Sequence, residues 1–288
     1  MTELFLTLEA TPALLYLSYT VLGLLVGSFL NVVIHRVPKM LDLQWKMQSR
    51  EILELEPVQE QSMTLSKPAS TCPSCGHQIK PHENIPILSY LFLKGACSHC
   101  QTKISIRYPL VEAATALLSL AIAFKFGASY LSICLLLFTW TLIALTMIDA
   151  DTQLLPDNMT LPLLWGGLIV NYFGLITTLE HALWGAIAGY LALWLVFWGF
   201  KILTGKEGMG YGDFKLLAAL GAWLGWQMLP VIILLSSVVG AVIGIAMIVI
   251  QGRDKATPMP FGPYLAIAGW IALMWGPELM SFWLGTRP

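Results

Sequence analysis

The sequence predicts an all-α polytopic membrane protein of about eight transmembrane helices, with a small zinc-ribbon-like cytoplasmic insert. Only 11% of the 288 residues are charged and 57% are hydrophobic, whereas soluble domains carry about 25% charged residues. The hydrophobic residues form long runs, and four of the five cysteines fall within one polar segment. So few charges cannot cover a soluble protein, and we therefore expect lipid to cover most of the surface.

Long apolar runs follow one another along the chain, and most approach the roughly 20 residues that a transmembrane helix needs. They are Ala13–Ile34, Pro109–Phe124, Tyr130–Ile148, Thr160–Ile176, Ala182–Leu203, Phe214–Gln227, Pro230–Ile250 and Phe261–Leu284. The second and sixth runs are short, so we expect them to be irregular or to include polar flanking residues. The start of the chain contains acids but no basic residues, so we expect the first span to be retained rather than removed as a signal peptide.

Basic residues are distributed unequally between the two sides of these spans. The segment His35–Tyr108 carries Arg36, Lys39, Lys46, Arg50, Lys67, Lys80, Lys94, Lys103 and Arg107. The same predicted side holds Lys201, Lys206, Lys215, Arg253 and Lys255, whereas the opposite side holds only Lys125 and Arg287. Because basic loops stay in the cytoplasm, we expect a cytoplasmic insert and two periplasmic termini.

The polar insert contains a motif typical of a metal site. Its charged part, Gln44–Ser70, is expected to be a helix followed by a loose segment. Two C-x-x-C pairs follow, separated by the 21 residues 76–96, and each pair can place two thiolates on one ion. The metal ligands we predict are Cys72, Cys75, Cys97 and Cys100. Four thiolates complete the tetrahedral coordination of Zn²⁺, so we expect a structural zinc site without a hydrolytic role.

Other interpretations of these residues are less favoured. Cytoplasmic reducing conditions disfavour disulfides, and an iron–sulfur cluster remains the alternative metal centre. Because the four thiolates suffice, we interpret His77, His82 and His99 as surface residues. Cys134 lies inside the third span, and we expect it to serve as an apolar packing residue.

Two aspartates lie at the ends of apolar runs on the predicted cytoplasmic side. Asp149 ends the third span, and Asp213 opens the sixth span behind the glycine-rich stretch Gly208–Gly212. Glycines there allow close approach of another backbone. An ionisable residue in a membrane segment indicates function, and the natural partner of each aspartate is the other. We interpret Asp151 as a solvated turn residue and Asp157 as a helix N-cap.

Two adjacent carboxylates share a proton, because ionising both is costly. The ionised one can take a proton from water that attacks a peptide carbonyl, while the other protonates the carbonyl oxygen. This pattern indicates an aspartic protease, and the sequence contains neither G-x-S-x-G nor H-E-x-x-H. A proton-coupled transporter could use the same two acids, and a structural subunit of a secretion assembly would need neither.

Several motifs together resemble those of the type IV prepilin peptidases, which are bifunctional leader peptidases and N-methyltransferases of the G-x-G-D intramembrane aspartyl protease class. The resemblance covers nearly the whole chain. Besides the paired C-x-x-C motifs, it includes "GSFLNVVIHRVP" at Gly27–Pro38, "RYPLVE" at Arg107–Glu112, "IDADTQLLPD" at Ile148–Asp157, "GYGDFKL" at Gly210–Leu216 and "PFGPYLA" at Pro260–Ala266.

The resemblance implies that Asp149 and Asp213 are the catalytic pair. It implies that the substrates are prepilins and pilin-like secretion proteins, whose short basic leaders stay in the cytoplasm. The new N-terminal amine would then be methylated from S-adenosylmethionine. The sequence does not identify the methyl-donor residues. We expect the donor near the insert and its flanking motifs, where Asn31, Arg36 and Glu112 serve either in helix packing or in binding.

These expectations place the protein in the bacterial inner membrane, with membrane lipid as a partner and no nucleic acid. They divide the chain into three parts. A first transmembrane segment covers residues 1–34, the four-cysteine cytoplasmic insert covers residues 35–108, and a transmembrane aspartyl peptidase domain covers residues 109–288.

Overall fold

The computed structural model describes residues 2–56, 63–206, 208–251 and 259–284. Over these residues the chain is helical, and β-structure is limited to two isolated bridges. The α-helices of the described residues, α1 to α10 in chain order, are Thr2–Ala10, Pro12–Ile52, Leu88–Phe92, Arg107–Phe126, Tyr130–Thr152, Asp157–Tyr172, Leu179–Thr204, Tyr211–Leu224, Leu229–Gln251 and Gly262–Leu284. The predicted all-α membrane fold is confirmed.

Six helices in the described part are long and apolar enough to cross a membrane, namely α2, α4, α5, α7, α9 and α10. The fourth and sixth predicted spans form the shorter helices α6 and α8, of 16 and 14 residues. The predicted count of about eight is therefore supported only roughly. The second run reaches 20 residues because α4 includes the polar flanking residues Arg107 and Lys125. Arg253, Lys255 and Arg287, used in the predicted topology, lie outside the described residues.

The first predicted span is only the beginning of α2, which has 41 residues. At 1.5 Å per residue α2 is about 60 Å long, roughly twice the thickness of a hydrocarbon core. The helix expected at the start of Gln44–Ser70 is therefore present as the end of α2, and the described residues after Leu53 in this segment are not helical.

The chain divides into two compact units, residues 1–140 and 141–288. In the first unit α2 packs along α4. Gly23 and Gly27 make this packing close: an added Cβ would lie 2.7 Å from the Cα of Ala116 or of Glu112, respectively. The two backbones approach this closely because both positions lack a side chain.

The second unit is built around α8, which packs against α6, α7 and α10. Every residue of α8 from Leu216 to Leu224 is buried. The amide of Asn171 in α6 satisfies the C-terminal end of α8, because its Nδ2 donates to the carbonyls of Ala222 and Trp223 at 2.8 and 2.9 Å. Its Oδ1 accepts from the N–H of Thr177 at 2.9 Å. The short helix α8 thus ends inside protein with its last carbonyls paired.

Candidate active site and metal centre

Asp149 lies in the last turn of α5 and is only 4% exposed. Its Oδ2 accepts a hydrogen bond of 2.9 Å from the backbone N–H of Gly262, the first residue of α10. The end of a helix carries partial negative charge, which disfavours a carboxylate there. The N-terminal end of α10 supplies the opposite partial charge together with a donor, and so it holds the Asp149 side chain in place.

Asp213 lies in the first turn of α8 and is 7% exposed. Its Oδ2 accepts a hydrogen bond of 3.2 Å from the N–H of Gly210, the residue that caps the helix. Its Oδ1 is buried and has no hydrogen-bond partner among the described residues. An unpaired buried oxygen of this kind lowers the free energy of unfolding by about 1–3 kcal/mol, so stability alone does not account for it.

Asp149 and Asp213 both lie in the second unit, and the glycines that adjoin them contact one side chain, that of Leu155. Gly212 precedes Asp213, and Gly262 donates to Asp149. An added Cβ on Gly212 would lie 2.6 Å from the Leu155 Cβ, and one on Gly262 would lie 3.2 Å from its Cδ1. The glycine before Asp213 therefore makes room for a side chain, not for another backbone. The result is a buried pair of acids, each bonded to the start of a helix.

The neighbouring acids have other environments. Asp151 is exposed and belongs to the last turn of α5, so its assignment to a turn is wrong. Asp157 is the first residue of α6 and Pro156 occupies the cap, so its assignment as an N-cap is wrong as well. Asp157 instead forms an ion pair with Lys215, whose Nζ lies 2.7 and 2.8 Å from its two carboxylate oxygens. Neither acid is buried beside the pair.

The four cysteines predicted as metal ligands lie together in the first unit. Their sulfur atoms are all within 4.8 Å of one another, and the Sγ atoms of Cys72 and Cys100 are 3.7 Å apart. Zn–S bonds of about 2.3 Å in a tetrahedron put neighbouring sulfurs about 3.8 Å apart. The four cysteines can therefore bind a metal ion, and their spacing fits tetrahedral zinc.

The two C-x-x-C pairs adopt the same local fold. In each, the first cysteine donates its N–H to the carbonyl five residues later and accepts from the N–H four residues later. The residues four positions on, Gly76 and Gln101, both have positive φ, and each turn is closed by one β-bridge. A side-chain hydrogen bond with Thr102 lowers the pKa of Cys100 to about 6. This favours the thiolate, which is the form that binds metals.

The histidines of the insert lie outside the four-cysteine group in the described part of the chain. His82 and His99 are exposed, as predicted. His77 is half-buried, stacks on His99 with ring centroids 5.6 Å apart, and lies 3.3 Å from the carboxylate of Glu83. Cys134 is half-buried within α5.

Three polar residues of the motifs flanking the insert bond to the protein itself. Asn31 Nδ2 donates to the carbonyl of Tyr108 at 3.2 Å, and Glu112 Oε2 accepts from the N–H of Ile87 at 2.8 Å. The buried Arg36 donates to backbone carbonyls of the loop after α2, including that of Thr64 at 2.8 Å. These contacts favour the structural alternative for Asn31, Arg36 and Glu112.

Gly262 is the residue of the site that the sequence analysis did not single out. It appears there only within the motif "PFGPYLA", without a role. In the sequence, Gly262 is followed by a proline, and the pair opens an apolar run. Such a pair is typical of a helix start that presents free N–H groups.

Comparisons with known proteins agree with these features. Residues 21–126 match the model of the bacterial peptidase A24 N-terminal domain, and residues 136–245 match that of the type IV leader peptidase family. A prepilin leader peptidase/N-methyltransferase of Pseudomonas aeruginosa is 58% identical, with 96% of each chain covered. A protein of the same description from Aeromonas salmonicida is 53% identical, with 99% of each chain covered. Another from Neisseria gonorrhoeae is 54% identical, with 93% of this chain and 94% of the relative covered. No solved structure matches significantly.

Proposed function

The chain belongs to the type IV leader peptidase family, and on this premise we propose that Asp149 and Asp213 cleave the leaders of prepilins and pilin-like secretion proteins. The observation that carries the proposal is the buried pair of acids, each anchored by the N–H of a glycine at a helix start. The protein is a multi-pass inner-membrane enzyme, as its relatives and its six long apolar helices indicate.

The two acids have unequal hydrogen bonding, and this suggests their roles. We assign the shared proton to Oδ1 of Asp213, which has no partner among the described residues and so can donate to a substrate carbonyl. Asp149, whose Oδ2 accepts from Gly262, acts as the base. It takes a proton from water as the water oxygen attacks the scissile carbonyl carbon. Collapse of the tetrahedral intermediate breaks the C–N bond: Asp149 gives the proton it took from water to the leaving nitrogen, which becomes the new amine, and Asp213 takes back its proton from the hydroxyl on the former carbonyl oxygen.

The position of the acids suits a substrate that is half in the membrane. Asp149 is at the end of one membrane helix and Asp213 is at the start of another apolar helix. A bond at the cytoplasmic edge of a substrate's apolar helix would be at the same depth. This arrangement requires the predicted topology, with the insert and the aspartates toward the cytoplasm and both termini in the periplasm.

The names of the relatives imply a methyl donor, which we propose is S-adenosylmethionine. The side chains first considered for its site, Asn31, Arg36 and Glu112, make hydrogen bonds within the protein. These hydrogen bonds occupy the polar groups of the three side chains, which as arranged here do not form a donor site.

For the metal centre we propose a structural zinc ion held by Cys72, Cys75, Cys97 and Cys100. The sulfur spacing and the repeated turn geometry support it, and four thiolates leave no open position for chemistry. Bilayer lipid as a partner is part of the proposal. The absence of a nucleic-acid partner and the division of the chain after residues 34 and 108 stay predictions.

The decisive experiment compares Asp149→Asn and Asp213→Asn with the matched control Asp151→Asn, which removes an exposed carboxylate from the same helical turn as Asp149. In detergent-solubilised protein at matched abundance, the first two variants should leave a prepilin uncut. The control should shorten it at nearly the wild-type rate. Near-normal cleavage by either of the first two variants would exclude the aspartate pair. Substrate uptake into vesicles without cleavage would favour the transporter alternative.

A further inference from the structure

The cytoplasmic insert carries an apolar surface that its own fold does not use. The surface consists of exposed side chains on and around the short helix α3, namely Ile85, Leu88, Leu91, Phe92 and Ile106. Phe92 is 82% exposed and Leu91 64%. Water-exposed side chains of this size do not cluster on a small polar domain without a partner. We call this cluster the α3 surface.

The start of α3 lies beside the membrane helix α4, at a depth fixed by one hydrogen bond. Ile87, immediately before α3, donates its N–H to Oε2 of the buried Glu112 at 2.8 Å. Glu112 is five residues into α4, so it lies about 7–8 Å along the helix from its cytoplasmic end. A helix of 20 residues is about 30 Å long and only just matches the hydrocarbon core. The start of α3 therefore lies about 7–8 Å inside the end of α4, a depth that interfacial helices reach.

The backbone of Ile87 adopts a conformation that is unfavourable for this residue type. Ile87 has a φ of +58°, a conformation that a β-branched residue rarely adopts. The Glu112 carboxylate supports this bend, because it accepts the Ile87 N–H. Helix α4 thus fixes both the depth and the direction in which α3 leaves it.

Exposed apolar side chains are also present where α4 begins. Ile106 precedes α4, and the next exposed side chains along it are those of Tyr108 and Leu110. Beyond α3 the exposed Lys94 and Lys103 follow, where they can face the phosphate layer. An apolar helix face flanked by lysines, lying 5–10 Å into the headgroup boundary, is the usual arrangement of an interfacial membrane anchor.

We propose that the α3 surface is inserted into the cytoplasmic leaflet of the phospholipid bilayer and anchors the zinc insert to the membrane. The insert would then be held against the membrane surface, rather than extending into the cytoplasm at the end of α2.

Photo-crosslinking of the full chain tests this proposal. We would place the photoreactive analogue p-benzoylphenylalanine at Phe92, or at Leu91 as a second site, in protein reconstituted into vesicles of phosphatidylethanolamine and phosphatidylglycerol. The positive control is Leu117, exposed in the middle of α4, and the negative control is Gln48, exposed in α2 well beyond the bilayer. Retained leader cleavage shows that each labelled protein is folded.

The expected result is a phospholipid adduct at positions 92 and 91 in a yield close to that at 117, with none at 48. The yield should not change when prepilin is added. Adducts with prepilin in place of lipid would show that a substrate helix covers the α3 surface, and would overturn the proposal. Adducts with residues 141–288 of the chain would overturn it in favour of an internal contact. A lack of lipid adducts at both positions, with Leu117 reacting, would place the surface in water.

Discussion

Replacement of Gly262 by alanine tests whether the start of α10 positions Asp149. The added Cβ would lie 2.7 Å from Oδ2 of Asp149, closer than Cβ atoms of proteins approach other atoms, and 3.1 Å from its Cγ, which is a tight contact. The carboxylate must therefore move, and its hydrogen bond with the Gly262 N–H must lengthen or break. A lost hydrogen bond to a charged group is worth about 1.5–3 kcal/mol, and a displacement of about 1 Å in a catalytic group costs about 100-fold in rate.

We expect the Gly262→Ala enzyme to cleave prepilin roughly 100 times more slowly than the wild type, with its melting temperature lowered only slightly. The measurement is the initial rate of leader removal in detergent at matched protein abundance. Gly210→Ala is the matched control. Gly210 also donates to a catalytic carboxylate, but its added Cβ would lie 3.8 Å from Asp213 Oδ2, an ordinary contact. Wild-type cleavage by Gly262→Ala, or equal losses in both variants, would refute this account of how Asp149 is held.

Three further predictions concern the metal, the second activity and the core. Replacing any one of the four metal-site cysteines by serine should lower the zinc content and the thermal stability, because structural zinc contributes about 10–16 kcal/mol to the folding free energy of small peptides. Wild-type protein without zinc or iron would contradict this prediction. The Asp213→Asn enzyme should still transfer labelled methyl groups from S-adenosylmethionine to mature pilin. Some variants in Gly27–Pro38 should instead lose methylation but keep cleavage. Joint loss of both activities in every variant would argue against separate sites. Asn171→Leu leaves three backbone groups unpaired and should lower the free energy of unfolding by about 2–4 kcal/mol, against little change for the exposed Asn158→Leu.

The sequence singles out Asp149, Asp213 and the four cysteines as site candidates because each set is chemically conspicuous. A carboxylate at the end of an apolar run has few alternative explanations, and four cysteines in two close pairs have fewer still. The structure brings the four cysteines together and buries both acids. Predicting these residues did not require exact helix ends, so the errors in the predicted spans did not affect the prediction.

The residues that hold the site were harder to predict. Gly262 acts through its backbone N–H, which every residue except proline has, and it reaches Asp149 across 113 positions of sequence. The ends of α6 and α8 lie three or four residues before those of the predicted runs 160–176 and 214–227, because hydropathy measures lipid compatibility and not where a helix begins and ends. These two helices end where buried contacts such as those of Asn171 replace lipid. Tertiary packing therefore decides their limits.

The bond between Asp149 and α10 has a consequence for the biosynthesis of the enzyme. Asp149 enters the membrane with α5, long before the ribosome has made Gly262. Until α10 is inserted, the Asp149 carboxylate lacks the donor that positions it, even though both aspartates are already present. With Asp149 as the proposed base, a growing chain would remain a poor protease until α10 is in place.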